Sequence, residues 1–206
     1  NRHLDLIVNP DTRETFTKRT KIINEIRSTL NSKQFLEVET PVLQPIYGGA
    51  NARPFVTHHN ALDQKLYLRI ADELYLKRLI IGGFEKVCEL SKDFRNEGMD
   101  RNHNPEFTML EFYWAYADFN DCMELVEEII RNAARKIGDL KIKWGDYNID
   151  LSKKFDKKSF FQLSEQATGI EFATLSNAEM LEVCSLHNVE VDKNSNKSQI
   201  LDSIMS

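Results

Sequence analysis

The sequence predicts an α+β fold built on an antiparallel sheet, and three observations carry that prediction. Strand-like segments follow one another in meander order and are then followed by helices, which disfavours a doubly wound parallel sheet. Lys86 to Glu97 and Phe107 to Tyr113 alternate polar and apolar residues on either side of a polar loop, as the two arms of a hairpin do. No GxGxxG or GxxxxGK[ST] occurs, so a nucleotide would not be held by a Rossmann or P-loop route. A chain of 206 residues makes one domain with a substantial core and a small appendage. The net charge of -5 means that any RNA contact must be local. Three scattered cysteines, Cys88, Cys122 and Cys184, without a CxxC argue against a zinc knuckle or a disulfide scaffold and favour a reducing cytoplasmic setting. No apolar run is long enough for a membrane span, and no signal-peptide pattern is visible.

Asp11-Thr-Arg-Glu14 has capping-box spacing, and Phe16, Ile22, Ile23, Ile26 and Leu30 give the helix after it an apolar face. Asn31 to Gln34 turns the chain into a strand from Phe35 to Thr40, ended by Pro41. Tyr47 to Arg53 is a glycine-containing loop. Phe55 to Asn60 and Lys65 to Arg69 read as short strands with a turn near Asp63. Ala71 to Ile81 reads as a helix capped by Gly82. After the main hairpin comes a helix from Phe119 to Ile137, with Asp118 or Asn120 as N-cap and Gly138 as its stop. Ile142, Trp144, Tyr147 and Ile149 flank Gly145-Asp146 in a small hairpin. Beyond Lys158 the pattern changes to short helices, with capping-box spacing at Ser159 to Gln162 and Ser176 to Glu179 and a polar linker from Asp192 to Ser198.

Alternation assigns Glu89, Asp93, Arg95 and Glu97 to one face of the first hairpin strand, and Cys88, Leu90 and Phe94 to the other. On the second strand Phe107, Met109, Glu111 and Tyr113 oppose Thr108, Leu110, Phe112 and Trp114. Burying the apolar faces together gathers an arginine, carboxylates, a phenol and an aromatic ring on the other side. Such a patch suits a ligand with a phosphate, a cationic group and a flat base. A solvated face with cross-strand ion pairs is the alternative from spacing alone. His58-His59 does not make a metal pair, because strand neighbours point to opposite faces; a hydrogen-bonding histidine near the substrate loop is preferred. Asp118, Asp121, Glu124, Glu127 and Glu128 read as a solvated acidic helix face.

Residue identities add to this. Phe94-Arg95-Asn96-Glu97, the loop Arg101-Asn-His-Asn-Pro-Glu106 and Phe107-Thr-Met-Leu-Glu-Phe-Tyr113 resemble motif 2 of the class II aminoacyl-tRNA synthetases. Phe35-Leu-Glu-Val-Glu-Thr-Pro41 resembles their motif 1. Gly48-Gly49-Ala-Asn-Ala-Arg-Pro-Phe55, His58-His59-Asn60 and Leu68-Arg-Ile-Ala-Asp-Glu-Leu-Tyr-Leu-Lys-Arg78 are similar to the lysine-specific branch. The resemblance runs from about Arg2 to Asp118 and weakens beyond it. It implies an antiparallel sheet flanked by helices with ATP lying on the sheet, residues 1–158 as the first part of a class II catalytic domain, and residues 159–206 as part of a helical insertion between motifs 2 and 3.

What the resemblance implies for chemistry follows residue by residue. Arg95 is the catalytic arginine that holds amino-acid carboxylate and ATP α-phosphate together, a task suited to a planar guanidinium that keeps its proton. Without the resemblance it would read as a salt bridge to Glu97 or Glu89. Phe107 stacks on adenine, with Glu97, His103 and Asn104 near the base and its neighbours; alone, Phe107 would read as core. Glu73 and the backbone near Gly49 take the α-amino group of lysine, while Glu111 and Tyr113 line the pocket for its ε-ammonium. Arg69 orders that pocket from behind. ATP, L-lysine and tRNA(Lys) are the implied partners, with a homodimer through the motif 1 region; ordinary intramolecular packing is the alternative for its helix.

Two departures bear on the implication. No glycine-rich segment ending in arginine, the family's motif 3, follows the hairpin, and the acidic residues that hold Mg2+ are expected beyond Ser206, so no metal ligand is assigned within these residues. Asn102 stands where some relatives have arginine, and Arg101, one place earlier, is given no role. Asn1 at the start and an uncapped helix at Ser206 read as the ends of a fragment, inactive by itself. A lysyl-transferase paralogue that modifies a translation factor and a non-catalytic dimerisation or binding module are the other readings. An upstream OB-fold would separate the first two, and a downstream motif 3 arginine would separate either from the third.

Overall fold

The computed structural model describes residues 1–192 and 194–205. The helical segment at the N-terminus is divided just before Pro10 into a short helix and a long one. Helix α1 spans Arg2–Val8 and α2 spans Pro10–Ser32, with Asn9 extended between them. Proline is tolerated in a first helical turn because its missing N–H is not needed there. This corrects the capping box expected at Asp11: the helix has already begun, Asp11 lies in its first turn, and Glu14 pairs with Lys18 at 2.9 Å instead.

The sheet that organises the first unit has the order β1 (Leu36–Glu37), β5 (Lys86–Phe94), β6 (Glu106–Trp114). β5 and β6 pair antiparallel over nine residues each, with Glu89 opposite Glu111, Asp93 opposite Phe107 and Val87 opposite Tyr113. β1 joins β5 in parallel, so the sheet is mixed and not purely antiparallel, and the expected strand from Phe35 is a two-residue ladder extended by Val38 N–H to the Cys88 carbonyl at 2.9 Å. A second sheet has the order β2 (Leu43–Gln44), β4 (Gln64–Leu68), β3 (Val56–His59). Asp63 turns between the last two in the left-handed region, φ 47°. β7 (Lys141–Trp144) and β8 (Tyr147–Asp150) form the small hairpin expected around Gly145.

The even-numbered faces of β5 and β6 meet α2 and the helix Phe119–Ile137 (α4), as alternation predicts. Leu30, Phe35, Cys88, Leu125 and Ile129 form the buried core there, with Ile26, Leu110, Phe112 and Trp114 against it. Phe35 meets Phe112 and Trp114 edge-on, with centroids 5.6 and 5.8 Å apart. Burial pushes the Cys88 thiol up to about 11, so it acts as a small apolar side chain.

Helix α3 is Glu73–Ile81 and α4 is Phe119–Ile137. α4 starts and stops where its local signals say, with a reciprocal Asp118–Asp121 capping box and Gly138 at φ 102°. The acidic face predicted on α4 is corrected at Glu127, which is buried and accepts from Arg131 at 2.6 Å. Glu128 pairs with Lys33 at 2.8 Å. Gly82 caps α3 in the right-handed region, and it is Gly83, φ 101°, that reverses the chain.

The chain divides into two compact units at Lys154/Phe155. The second unit contains α5 (Phe160–Thr168), α6 (Asn177–Leu186) and α7 (Lys197–Met205) around Phe172, Met180, Cys184, Ile200 and Leu201. The capping boxes expected at Ser159 and Ser176 are both formed. Of the polar linker read at Asp192 to Ser198, Lys193 lies outside the described residues and α7 takes its last two positions; Ser206 also lies outside them. No described helix is long and apolar enough to cross a membrane.

Candidate functional site

The odd-numbered face of β5 and β6 carries the polar residues, but it is not a uniform open patch. Glu89, Ser91 and Asp93 on β5 are buried, as are Arg69 after β4 and Asp72 before α3. Arg69 is the hub. Its Nη1 donates to Glu89 Oε1 at 2.7 Å and to the Thr40 carbonyl and hydroxyl at 3.1 Å, while Nε donates to the Lys92 carbonyl at 3.0 Å. The same guanidinium lies 3.1 Å from Asp72 and 3.3 Å from Asp93. Glu89 also receives the Thr40 backbone N–H and hydroxyl. Glu89 and Asp93 are therefore corrected from ligand-facing groups to a buried ion cluster beneath the face.

Above that cluster the face opens at one end onto a cavity of about 530 Å3, lined by Arg95, Glu97, His103, Asn104 and Phe107 among others. Five residues spread over the loop that follows β5 and over β6 thus share one wall, because the hairpin register sets Asp93 opposite Phe107 and brings the loop back over Arg95. Backbone bonds hold the loop's neck: Arg95 N–H donates to the Pro105 carbonyl at 2.9 Å and Asn96 N–H to the Arg53 carbonyl at 2.7 Å. The Arg95 guanidinium stands 5.1 Å from the Phe107 ring centroid, and its Nε reaches the Ile70 carbonyl at 3.4 Å. Among the described residues it forms no ion pair with Glu97 or Glu89, so the salt-bridge alternative finds no support. Glu97 accepts the Arg53 N–H at 3.3 Å. The exposed His103 ring meets both oxygens of Asp100 at 2.9 and 2.8 Å, and these bonds with the Asn102 and His103 N–H groups hold the Asp100 carboxyl below its usual range.

Along the same face lies a second group. Tyr113 donates its hydroxyl to Glu111 Oε2 at 3.2 Å, and Glu111 Oε1 accepts the backbone N–H of Asp72 at 3.1 Å. Burial, followed by the charges of Glu111, Glu73 and Asp72, pushes the Tyr113 phenol well above its ordinary range. Those charges make the surroundings of the phenol attractive to a cation. Glu73 opens α3 and is bonded through Oε1 to Lys77 at 2.6 Å. Gly49, φ 88°, passes so close that a Cβ there would stand 2.8 Å from Glu73 Cβ and 3.1 Å from Ala71 Cβ. A side chain at position 49 would close the space over Glu73 and strain the backbone.

The predicted residues thus fall into two neighbouring groups: Arg95, Glu97, His103, Asn104 and Phe107 around the cavity, and Gly49, Glu73, Glu111 and Tyr113 beside it. His58 and His59 serve the local turn, His58 lying 3.3 Å from Asp63 and His59 Nδ1 accepting the Leu62 N–H. Asp72 and Ser91 were not singled out from sequence. Ser91 shares the parity of Glu89 and Asp93, which was a usable signal; Asp72 reads locally as a helix N-cap. In the fold its side chain makes no cap bond and turns inward to accept from Ser91 Oγ at 2.7 Å.

The family model of class II tRNA synthetases (D, K and N) matches residues 1–201, and the chain belongs to that family. Its curated relatives include lysine–tRNA ligases. That of Carboxydothermus hydrogenoformans is 57% identical over 84% of this chain and 36% of its own length. That of Methanoculleus marisnigri is 54% identical over 87% of this chain and 35% of its own. The Staphylococcus epidermidis protein is 48% identical over 98% of this chain and 41% of its own. The chain therefore spans well under half the length of these relatives.

Proposed function

We propose that the protein containing this chain activates L-lysine with ATP to lysyl-adenylate and transfers the lysyl group to tRNA(Lys). The observation that supports this best is Arg95, which among the described residues forms no ion pair, lines the cavity with Phe107 and shares a sheet face with the Tyr113–Glu111 pair. A cavity with Phe107 suits a base, and Glu111 with Tyr113 suits an ammonium; Arg95 between them suits the two anions that must react. One lysine carboxylate oxygen attacks the α-phosphorus in line, the bond to the β-phosphate oxygen breaks, and pyrophosphate leaves. Arg95 offsets the repulsion between the anions and the charge that develops on the phosphoryl oxygens. A ribose hydroxyl of tRNA then attacks the lysyl carbonyl and AMP departs.

Glu73 and the Gly49 backbone take the α-amino group, and Glu111 with Tyr113 the ε-ammonium. A dry ammonium left without such partners would cost several kcal/mol, roughly, which is how the pocket would reject uncharged amino acids of similar length. Mg2+ would assist at the phosphates, but the buried acid cluster of Asp72, Asp93 and Glu111 does not fit it. Asp72 and Asp93 are fully buried and already face Arg69, whereas a phosphate-bridging Mg2+ keeps waters and an octahedral shell. No step is assigned to the metal through these residues.

The same reading places the protein in the cytoplasm as a two-fold dimer through the region of Leu36 to Pro41 and α2. Phe35 itself lies in the core, so Leu36, about half exposed, is the nearer candidate for the interface. Residues 159–206 are read as part of an insertion between motifs 2 and 3. The test is amino-acid-dependent ATP–pyrophosphate exchange by the full-length protein across the standard amino acids. Exchange dependent on lysine supports the reading, and exchange that prefers aspartate or asparagine refutes it.

A further inference from the structure

We propose that Asp72 and Asp93 hold one proton between them and, through the backbone N–H that Asp72 gives to Glu111, position the carboxylate that meets the substrate ammonium. The positioning half rests on the lysine reading above; the proton does not. Both side chains are wholly buried. They approach each other, and Glu111, within 4.8 Å. Of their four carboxylate oxygens only Asp72 Oδ2 has a hydrogen-bond partner, the Ser91 hydroxyl at 2.7 Å; Asp72 Oδ1 and both oxygens of Asp93 have none. Two ionised carboxylates are acceptors only and offer each other nothing. One proton turns one of them into a donor and lets the pair satisfy itself, with the O–H of the neutral acid directed at an oxygen of its neighbour.

The charges around the pair lead to the same state. Arg69 lies near both, at 3.1 and 3.3 Å, but these contacts lack hydrogen-bond geometry and its short bond, 2.7 Å, goes to Glu89. A single guanidinium therefore serves three buried acids. From β6 the pair faces Glu111 and Tyr113, from β5 Glu89, and from the residue after β5 Arg95, so acids outnumber the cations Arg69 and Arg95. Burial raises Asp72 to about 7, and Asp93 is also raised, chiefly by burial and against the pull of Arg69. A metal ion in place of the proton would have to share both carboxylates with that guanidinium.

The link to the pocket is short. Asp72 turns its side chain inward and leaves α3 without a side-chain cap, and in this orientation its N–H reaches Glu111 Oε1 at 3.1 Å. Glu111 in turn accepts from Tyr113. Loss of the shared proton sets two buried negative charges against each other at the residue that fixes Glu111.

The experiment uses the full-length protein and the variants Asp93→Asn and Asp93→Leu. An amide at position 93 donates permanently to Asp72, as the protonated acid does; leucine keeps the volume and donates nothing. Because folding raises the pKa of the pair above that of an unfolded aspartate, this contribution to stability is complete at low pH and lost as pH rises through about 7. Urea unfolding from pH 5 to 7 should show the wild-type folding constant falling about tenfold per pH unit relative to Asp93→Asn, the slope of one proton. Lysine KM should rise about tenfold in Asp93→Leu with ATP KM unchanged, and stay within about threefold in Asp93→Asn. Equal pH slopes in wild type and Asp93→Asn would overturn the shared proton, as would stabilisation of the wild type alone by added Mg2+ or Ca2+. A lysine KM indifferent to Asp93→Leu would overturn the positioning role. A one-proton slope in a protein without lysine-dependent exchange would uphold the proton and reject the lysine reading.

Discussion

Replacing Arg69 with methionine removes the guanidinium that lies against Glu89, Asp72 and Asp93 beneath the proposed pocket. Methionine fills much of the volume, so the cost is electrostatic. Arg69 is 3% exposed, and its loss leaves the Glu89 carboxylate, the Lys92 carbonyl and the Thr40 carbonyl and hydroxyl each short of a donor. Breaking a buried ion pair by removing one partner costs about 3–5 kcal/mol, and the number of acceptors abandoned here points to the upper half of that range. For a cooperative unit of this size that corresponds to a fall in Tm of roughly 8–20 °C. The deficit should widen between pH 5 and pH 8, because protons neutralise the abandoned carboxylates at the lower pH and not at the higher. Arg69→Lys should recover only part, since one ammonium cannot reproduce the fork. The assay is urea and thermal unfolding of the full-length protein at both pH values. A loss under about 1 kcal/mol, or one that shrinks as pH rises, would refute the hub role.

Three further outcomes are expected. On the proposed reading, Arg95→Lys in the full-length protein should lower adenylate formation by on the order of a hundredfold or more, as when a preorganised transition-state donor is lost, with Tm nearly unchanged. Near-normal exchange with reduced stability would instead mark Arg95 as structural. Tyr113→Phe should raise the Michaelis constant for lysine by about 1–3 kcal/mol in free-energy terms and leave that for ATP alone, because only the ammonium side of the site loses a partner. Gly49→Ala should lower stability by about 1–2 kcal/mol, since it sets a Cβ at a left-handed φ, and should weaken lysine more than ATP; equal weakening of both would argue against an α-amino site at Glu73.

Much of the fold was legible because the signals that specify it are local. Alternation in β5 and β6 assigned Cys88, Leu110 and Phe112 to the core side and Arg95, Phe107, Glu111 and Tyr113 to the other, and the observed register agrees. α4 and the capping boxes of α5 and α6 fall where short polar spacings place them, because each cap bond joins residues three apart. At the N-terminus a proline one residue before the supposed cap was the stronger signal, and α2 begins there.

What the sequence by itself determined, then, was which side of the sheet each hairpin residue faces and the kinds of chemical group gathered there. Only the tertiary structure decided which of those groups line the cavity and which are sealed beneath it. A strand's period of two gives a side chain its direction and says nothing of what covers that side. Glu89 and Asp93 share a face with Arg95, yet they are sealed beneath it by Arg69 and Asp72, which enter from the end of β4 and the start of α3. Asp72 shows the same limit at one residue: its local preference is to cap a helix, and a buried hydroxyl and guanidinium brought by distant segments turn it inward instead. Long-range desolvation and charge pairing outweigh a cap bond worth about 1 kcal/mol, and neither is written in the spacing of neighbouring residues.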